Sequence, residues 1–214
     1  MKLAFAAAAL ALMLGGTSAF AADMPPAFHD WTGFYIGAQG GAAFTRPNEQ
    51  VTSDLPASAT EVSGGVNAQV LYQMDQFVFG AVADGNLSTP FASQTCVTDA
   101  TRTCKTGSGS DFSLRGKLGF AQDNFMVYGT GGLGWADYQV NSYKTSDGSG
   151  ALNDQRTLNG WVAGAGLSYA FSSNWISTME YLHYDLGSGT SYSAAGLTVA
   201  PTMDTFTVGL GYKF

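Results

Sequence analysis

Thr205-Phe206-Thr207-Val208-Gly209-Leu210-Gly211-Tyr212-Lys213-Phe214 closes the chain, and its alternation decides the fold. Phe206, Val208, Leu210, Tyr212 and Phe214 share one face of an extended strand, while Thr205, Thr207, Gly209, Gly211 and Lys213 share the other. In a water-soluble barrel the large side chains would turn inward, where a narrow interior has no room for a row of aromatics. Lipid against the large face and an interior of small residues account for both faces.

The same period of two recurs upstream. In Ser110 to Ala121, Phe112, Leu114, Leu118 and Phe120 lie opposite Asp111, Ser113, Arg115 and Lys117. A basic side chain on lipid at mid-membrane costs roughly 2–4 kcal/mol, so Arg115 and Lys117 are expected to point into the lumen. Six further strands are expected at Gly33 to Phe44, Glu61 to Tyr72, Phe77 to Leu87, Phe125 to Tyr138, Thr157 to Ala170 and Trp175 to Leu186. Between them, the short connections Gln73 to Gln76, Gln122 to Asn124 and Phe171 to Asn174 alternate with long polar ones, Thr45 to Thr60, Ser88 to Gly109, Gln139 to Arg156 and Gly187 to Thr202. Strict short and long alternation with an even strand count is the connectivity of an all-β, eight-stranded antiparallel up-and-down transmembrane β-barrel, its turns periplasmic and its loops outside. Trp31, Phe34, Tyr72, Phe77, Phe120, Phe125, Tyr169, Phe171, Trp175 and Phe214 fall near the turn side and are expected to form an interfacial girdle.

The start of the chain has a different character. Met1-Lys2 precedes an unbroken apolar run from Leu3 to Leu14, and Ala19-Phe20-Ala21 has the small-x-small form that signal peptidase cuts after. Residues 1–21 therefore read as a Sec-type signal peptide, 22–32 as a periplasmic lead-in and 33–214 as the barrel. The run is too short for a permanent membrane helix. The net charge of −7 becomes −8 when Lys2 leaves with the signal, and no basic stripe exists to neutralise phosphates, which argues against nucleic-acid binding. Cys96 and Cys104, the only cysteines, read as a local disulfide in an oxidising compartment. Two cysteines without a nearby His are too few for a metal site, and no cofactor is called for.

Gly129-Thr130-Gly131-Gly132-Leu133-Gly134 satisfies G-x-G-x-x-G, but strand-like Trp135-Ala136-Asp137-Tyr138 follows where a dinucleotide site needs a helix. These glycines read instead as room for side chains in a tight lumen. With parity chosen so that charges avoid lipid, Asp84, Asp111, Arg115, Lys117, Glu180 and Lys213 are expected to line the interior. Eight strands enclose little more than side chains, so opposite charges should pair there, Arg115 with Glu180 foremost. The competing use of the same residues is a narrow pore for small solutes.

Trp31-Thr32-Gly33-Phe34-Tyr35-Ile36-Gly37, Tyr128-Gly129-Thr130-Gly131-Gly132, Gly160-Trp161 with Gly164-Ala165-Gly166, Glu180-Tyr181 and the closing Val208 to Phe214 resemble, in their order, the small alphaproteobacterial outer-membrane proteins called surface-antigen or porin-like proteins. The resemblance implies a structural envelope protein that presents surface loops and adds to envelope integrity, with lipid and lipopolysaccharide as surroundings and a monomer favoured. It also implies that Phe214 is read by the barrel-assembly machinery. Some relatives are weak porins and a few bind haemin, which makes His183, within Tyr181-Leu182-His183-Tyr184-Asp185, the candidate haem ligand. Lipid A deacylases use a His-x-Ser pair with a downstream Glu. His183-Tyr184-Asp185 lacks that nucleophile, and the other His, His29, lies in the lead-in, so no enzyme is expected.

Overall fold

The computed structural model describes residues 29–46, 59–90, 93–95, 101–144, 146, 152–187, 190–192, 197–199 and 201–214. Eight long strands carry the fold: β1 (Gly33–Arg46), β2 (Ala59–Met74), β3 (Phe77–Pro90), β4 (Arg102–Gln122), β5 (Phe125–Lys144), β6 (Leu152–Ala170), β7 (Trp175–Asp185) and β8 (Thr202–Lys213). Each is antiparallel to its chain neighbour. The seam is made by β1 with β8, from Tyr35 opposite Lys213 to Arg46 opposite Thr202. Every barrel strand therefore has two partners and no edge is left, the condition a sheet must meet in hydrocarbon.

Side chains obey the expected parity. Phe206, Leu210, Tyr212, Phe112, Leu114, Leu118 and Phe120 are exposed on the outer wall, whereas Thr205, Thr207, Asp111, Ser113, Arg115 and Lys117 are buried. The apolar outer face is thus what lipid covers. Asp75 and Asp123 adopt left-handed backbone (φ 54° each) in the two-residue turns Asp75-Gln76 and Asp123-Asn124, a conformation that Asp tolerates better than most residues. Adjacent turns are stitched together where Ala121 N–H donates to Gln76 O (2.7 Å) and Ala170 N–H to Asn124 O (2.8 Å).

The strands run farther outward than the alternation marks them. β4 begins at Arg102 rather than near Ser110, β5 runs on to Lys144, and β6 begins at Leu152. Two short pieces lie within the expected loops: Ser93–Thr95 pairs with Thr103 to Lys105, and Thr190–Tyr192 forms a hairpin with Leu197–Val199. The backbone ladder persists there while the apolar contrast between the faces fades, so periodicity gives no warning. A register shift between Ser108 and Ser110 also interrupts the inward and outward alternation.

The girdle forms from Phe34, Tyr72, Phe77, Phe120, Phe125, Tyr169, Phe171, Trp175 and Phe214, all exposed, with Tyr212 beside them. Neighbouring rings touch across strands: Phe34 and Phe214 at 5.9 Å between centroids, Phe125 and Tyr169 at 4.6 Å, Trp175 and Tyr212 at 5.1 Å. Trp31 does not belong to it. Its ring is fully buried inside the barrel mouth, because a lumen-facing indole there finds the apolar partners Tyr35, Leu71 and Ile176.

Gly40 and Gly41 contrast the two faces. A Cβ on Gly40 would meet nothing nearer than Ser63 O at 3.6 Å, whereas one on Gly41 would fall 1.9 Å from Phe206 O across the seam. Gly41→Ala should therefore sharply reduce the yield of the heat-modifiable folded form in refolding gels, and Gly40→Ala should leave it at wild-type level.

Candidate functional site

The lumen is filled in three layers. At the periplasmic end Trp31, Tyr35, Leu71, Val78, Ala121, Met126, Tyr128, Ala170 and Ile176 form one buried apolar cluster. Toward the outer end Ala43, Ala136, Leu158, Val162, Leu182, Tyr184, Leu186 and Met203 form a second. Polar side chains occupy the space between.

Arg115 is the centre of that middle layer. Its guanidinium donates to Asp84 through Nη2, to Glu180 Oε1 through Nη1 at 2.9 Å, and to Ser113 Oγ through Nε at 2.8 Å. Ser113 Oγ–H in turn donates to Asp84 Oδ1 at 2.6 Å. Tyr128 O–H donates to the other Glu180 oxygen at 2.9 Å, and a Cβ on Gly166 would lie 2.4 Å from that hydroxyl, so glycine is what admits the ring. Lys117 donates to Gln69 Oε1 at 2.8 Å and sits 3.9 Å from the centre of the Tyr128 ring, a cation over an aromatic face. A relay of amides continues the network: Asn67 donates to Gln39 Oε1, Gln39 to Asn86 Oδ1, and Asn86 to Asp111 Oδ2, at 2.8, 2.7 and 2.7 Å. Buried ionic groups are tolerated best when paired and hydrogen-bonded, and this layer supplies both to Arg115, Asp84 and Glu180, while Lys117 relies on Gln69 and the Tyr128 ring and Asp111 on Asn86.

Of the six charges expected in the lumen, the structure gathers Asp84, Arg115, Lys117 and Glu180 into this network and joins Asp111 through Asn86. Lys213 lies elsewhere. It sits at the periplasmic rim, where its ammonium donates to Asp30 O and ties the lead-in to the last strand. The amides Gln39, Asn67, Gln69 and Asn86 and the Tyr128 hydroxyl were missed, as was Glu61, which is fully buried. Their signal was inward parity on strands whose phase the outward residues already set. Within the glycine run, Gly134 makes room for the Tyr184 ring, 2.7 Å from where its Cβ would be, but Gly129 and Gly131 face outward and pack against no lumen side chain.

Residues 29–32 close the periplasmic mouth. Trp31 N–H donates to Gln73 Oε1 (2.8 Å), Tyr35 O–H donates to Trp31 O (3.0 Å), and Gln73 N–H donates to Thr32 Oγ1 (3.0 Å). His29 packs edge-on against Trp31, ring centroids 4.7 Å apart. Burial, with Lys213 nearby, holds the His29 imidazole below its ordinary value of 6.5 against the opposing pull of Asp30.

His183 faces outward rather than inward. Its Nδ1 lies 2.7 Å from Asp204 Oδ1, an acid that sequence reasoning did not pair with it, and its ring lies 5.5 Å from that of Trp161. Cys96 lies outside the described residues, so its pairing with Cys104 stays an expectation. Phe214 is well exposed at the girdle, and its N–H donates to Phe34 O at 3.0 Å.

Residues 7–214 match the family model described as "Outer membrane protein beta-barrel domain". The chain belongs to that family. Relatives include a 31 kDa outer-membrane immunogenic protein of Brucella melitensis, 33% identical over 227 residues, which cover 92% of this chain and 94% of the relative. A 22 kDa outer membrane protein of Rhizobium leguminosarum is 28% identical over 191 residues, covering 86% and 78%. Among solved structures, Neisserial surface protein A superposes with a TM-score of 0.51 at 16% identity, over 86% of this chain and 98% of that one. The protein is accordingly an outer-membrane β-barrel, and its location is the outer membrane.

Two outcomes follow for the lumen. Replacing Arg115 with Leu strands two buried carboxylates and should cost about 3–5 kcal/mol in urea unfolding from lipid vesicles. Glu180→Gln should cost less, and the two changes should be non-additive in a double-mutant cycle. At the mouth, neutral His29 is the form the folded state prefers, so its contribution is complete above pH 6.5 and declines as pH falls from there through the lowered folded value. Acrylamide quenching of tryptophan fluorescence should rise over that interval in the wild type and stay flat in His29→Phe.

Proposed function

We propose that the protein is a non-enzymatic envelope component whose sealed barrel anchors surface loops and strengthens the outer membrane. The observation that carries this reading is the filled lumen, two apolar layers around a paired ionic one. The cavity among Gln39, Gln69, Arg115, Lys117 and Glu180 amounts to about 20 Å³, room for a single water by the measure that one needs about 10–15 Å³. Such close packing supports a lumen that solutes do not cross. The immunogenic relatives add support, since exposed loops on an outer-membrane barrel are ready targets for antibodies.

The other two readings draw less support. A narrow pore would need Arg115 to release both Asp84 and Glu180 and the two apolar layers to part. Haemin ligation at His183 would rest on Nε2 of an imidazole turned toward the outer leaflet, one that Asp204 orients through Nδ1. Phe214, at the end of the seam strand, keeps an exposed ring packed beside those of Phe34 and Tyr212, which supports its reading as an assembly signal. The machinery that inserts barrels is its proposed reader.

Purified protein added to planar bilayers should leave a flat current trace, although it inserts. Regular conductance steps in the wild type would overturn the sealed reading.

A further inference from the structure

Charge is absent from the outer wall of the described barrel strands between the girdle and a level near the outer end. At that level Arg46 on β1, Asp204 on β8 and His183 on β7 each stand one outward position beyond an exposed ring, those of Phe44, Phe206 and Tyr181. We propose that Arg46 and His183 form a binding site for a phosphate of lipid A in the outer leaflet.

The carboxylate of Asp204 builds the site. Its Oδ2 lies 3.2 Å from Arg46 Nη1, and its Oδ1 takes the Tyr181 hydroxyl at 2.8 Å and faces His183 Nδ1 at 2.7 Å. Both oxygens are thereby committed to neighbours within the wall. Asp204 holds a guanidinium and an imidazole side by side. Arg46 Nε and Nη2 are left for an outside acceptor, and His183 Nε2 joins them as a donor in the protonated imidazolium, the form in which both ring nitrogens carry a proton. Arg46 is 66% exposed and His183 35%. Trp161, half-exposed and packed on His183, walls the site on the β6 side.

The depth selects the ligand. Beyond the band of acyl-contacting side chains, the first groups a lipid offers are its headgroup phosphates, and a guanidinium beside an imidazolium is a donor pair suited to phosphate oxygens. The same level on β5 has the opposite character. There Asp137 faces outward, its oxygens taken by the hydroxyls of Ser110 (2.9 Å) and Thr157 (2.6 Å), and an anionic headgroup would be repelled. The β1–β8–β7 sector also carries an outward carboxylate beyond Asp204, that of Asp185, whose Oδ1 takes the Gly187 N–H at 3.1 Å. The polar ring is asymmetric in its cations: at this level the β1–β8–β7 sector has Arg46 and His183 where β5 has only Asp137, and it is there that an anionic lipid docks.

Native mass spectrometry of the purified protein in detergent, with added bisphosphorylated lipid A and separately with its dephosphorylated form, tests this. The wild type should retain one bisphosphorylated lipid A per barrel. Arg46→Gln should weaken that retention by about tenfold, His183→Gln by less, and loss of the phosphates should do to the wild type what Arg46→Gln does. Heat-modifiable gel migration should show both variants folded, since both side chains point away from the core. Equal retention by folded Arg46→Gln, equal retention of the dephosphorylated lipid, or no adduct with the wild type would each overturn the site. The proposal rests on the outer-membrane location and not on the sealed lumen, so a conducting wild type would leave it standing.

Discussion

Hydrocarbon offers nothing to a backbone N–H or C=O, and an unpaired one there costs several kcal/mol. That constraint is what the rest of the structure answers. Pairing β1 with β8 removes the last two free edges, and closing after only eight strands sets a circumference whose interior side chains must fill completely. The filling then cannot be all apolar, because inward positions on every strand are shared between small residues, amides and ions. Arg115 reconciles these demands by satisfying two carboxylates and a hydroxyl at once.

Layering protects that arrangement. Ion pairs are strong only where water is kept away, and the Trp31 cluster below and the Tyr184 cluster above do so. The lead-in is part of this architecture. Through Gln73, Tyr35 and Lys213, residues preceding the first strand are fastened to three different strands, β2, β1 and β8.

Much of this was legible in the residues themselves. Phe206 to Phe214 alternate so regularly that strand, face and lipid contact follow together, and the parity of Arg115 and Lys117 follows from the cost of charge in lipid. Trp31 was misread because an aromatic near a strand end suits both a girdle and a plug, and only the three-dimensional mouth distinguishes them. Lys213 was misread for a related reason: inward parity says which face a side chain takes, not how far along the barrel axis it sits. The amides escaped because Gln and Asn incur no penalty large enough to fix their parity. The encounter of His183 with Asp204 depends on the register between β7 and β8, which a single strand's pattern does not encode.

The seam has a temporal meaning as well. It joins residues 35–46 to residues 202–213, so the cylinder stays open until nearly the whole polypeptide has been delivered. Until then the growing sheet keeps two bare margins and a wet concave side, and Arg115, on β4, waits for Glu180, on β7, before its charge is balanced. Those margins stay open to any passing strand until residues 202–213 reach residues 35–46 and close the cylinder.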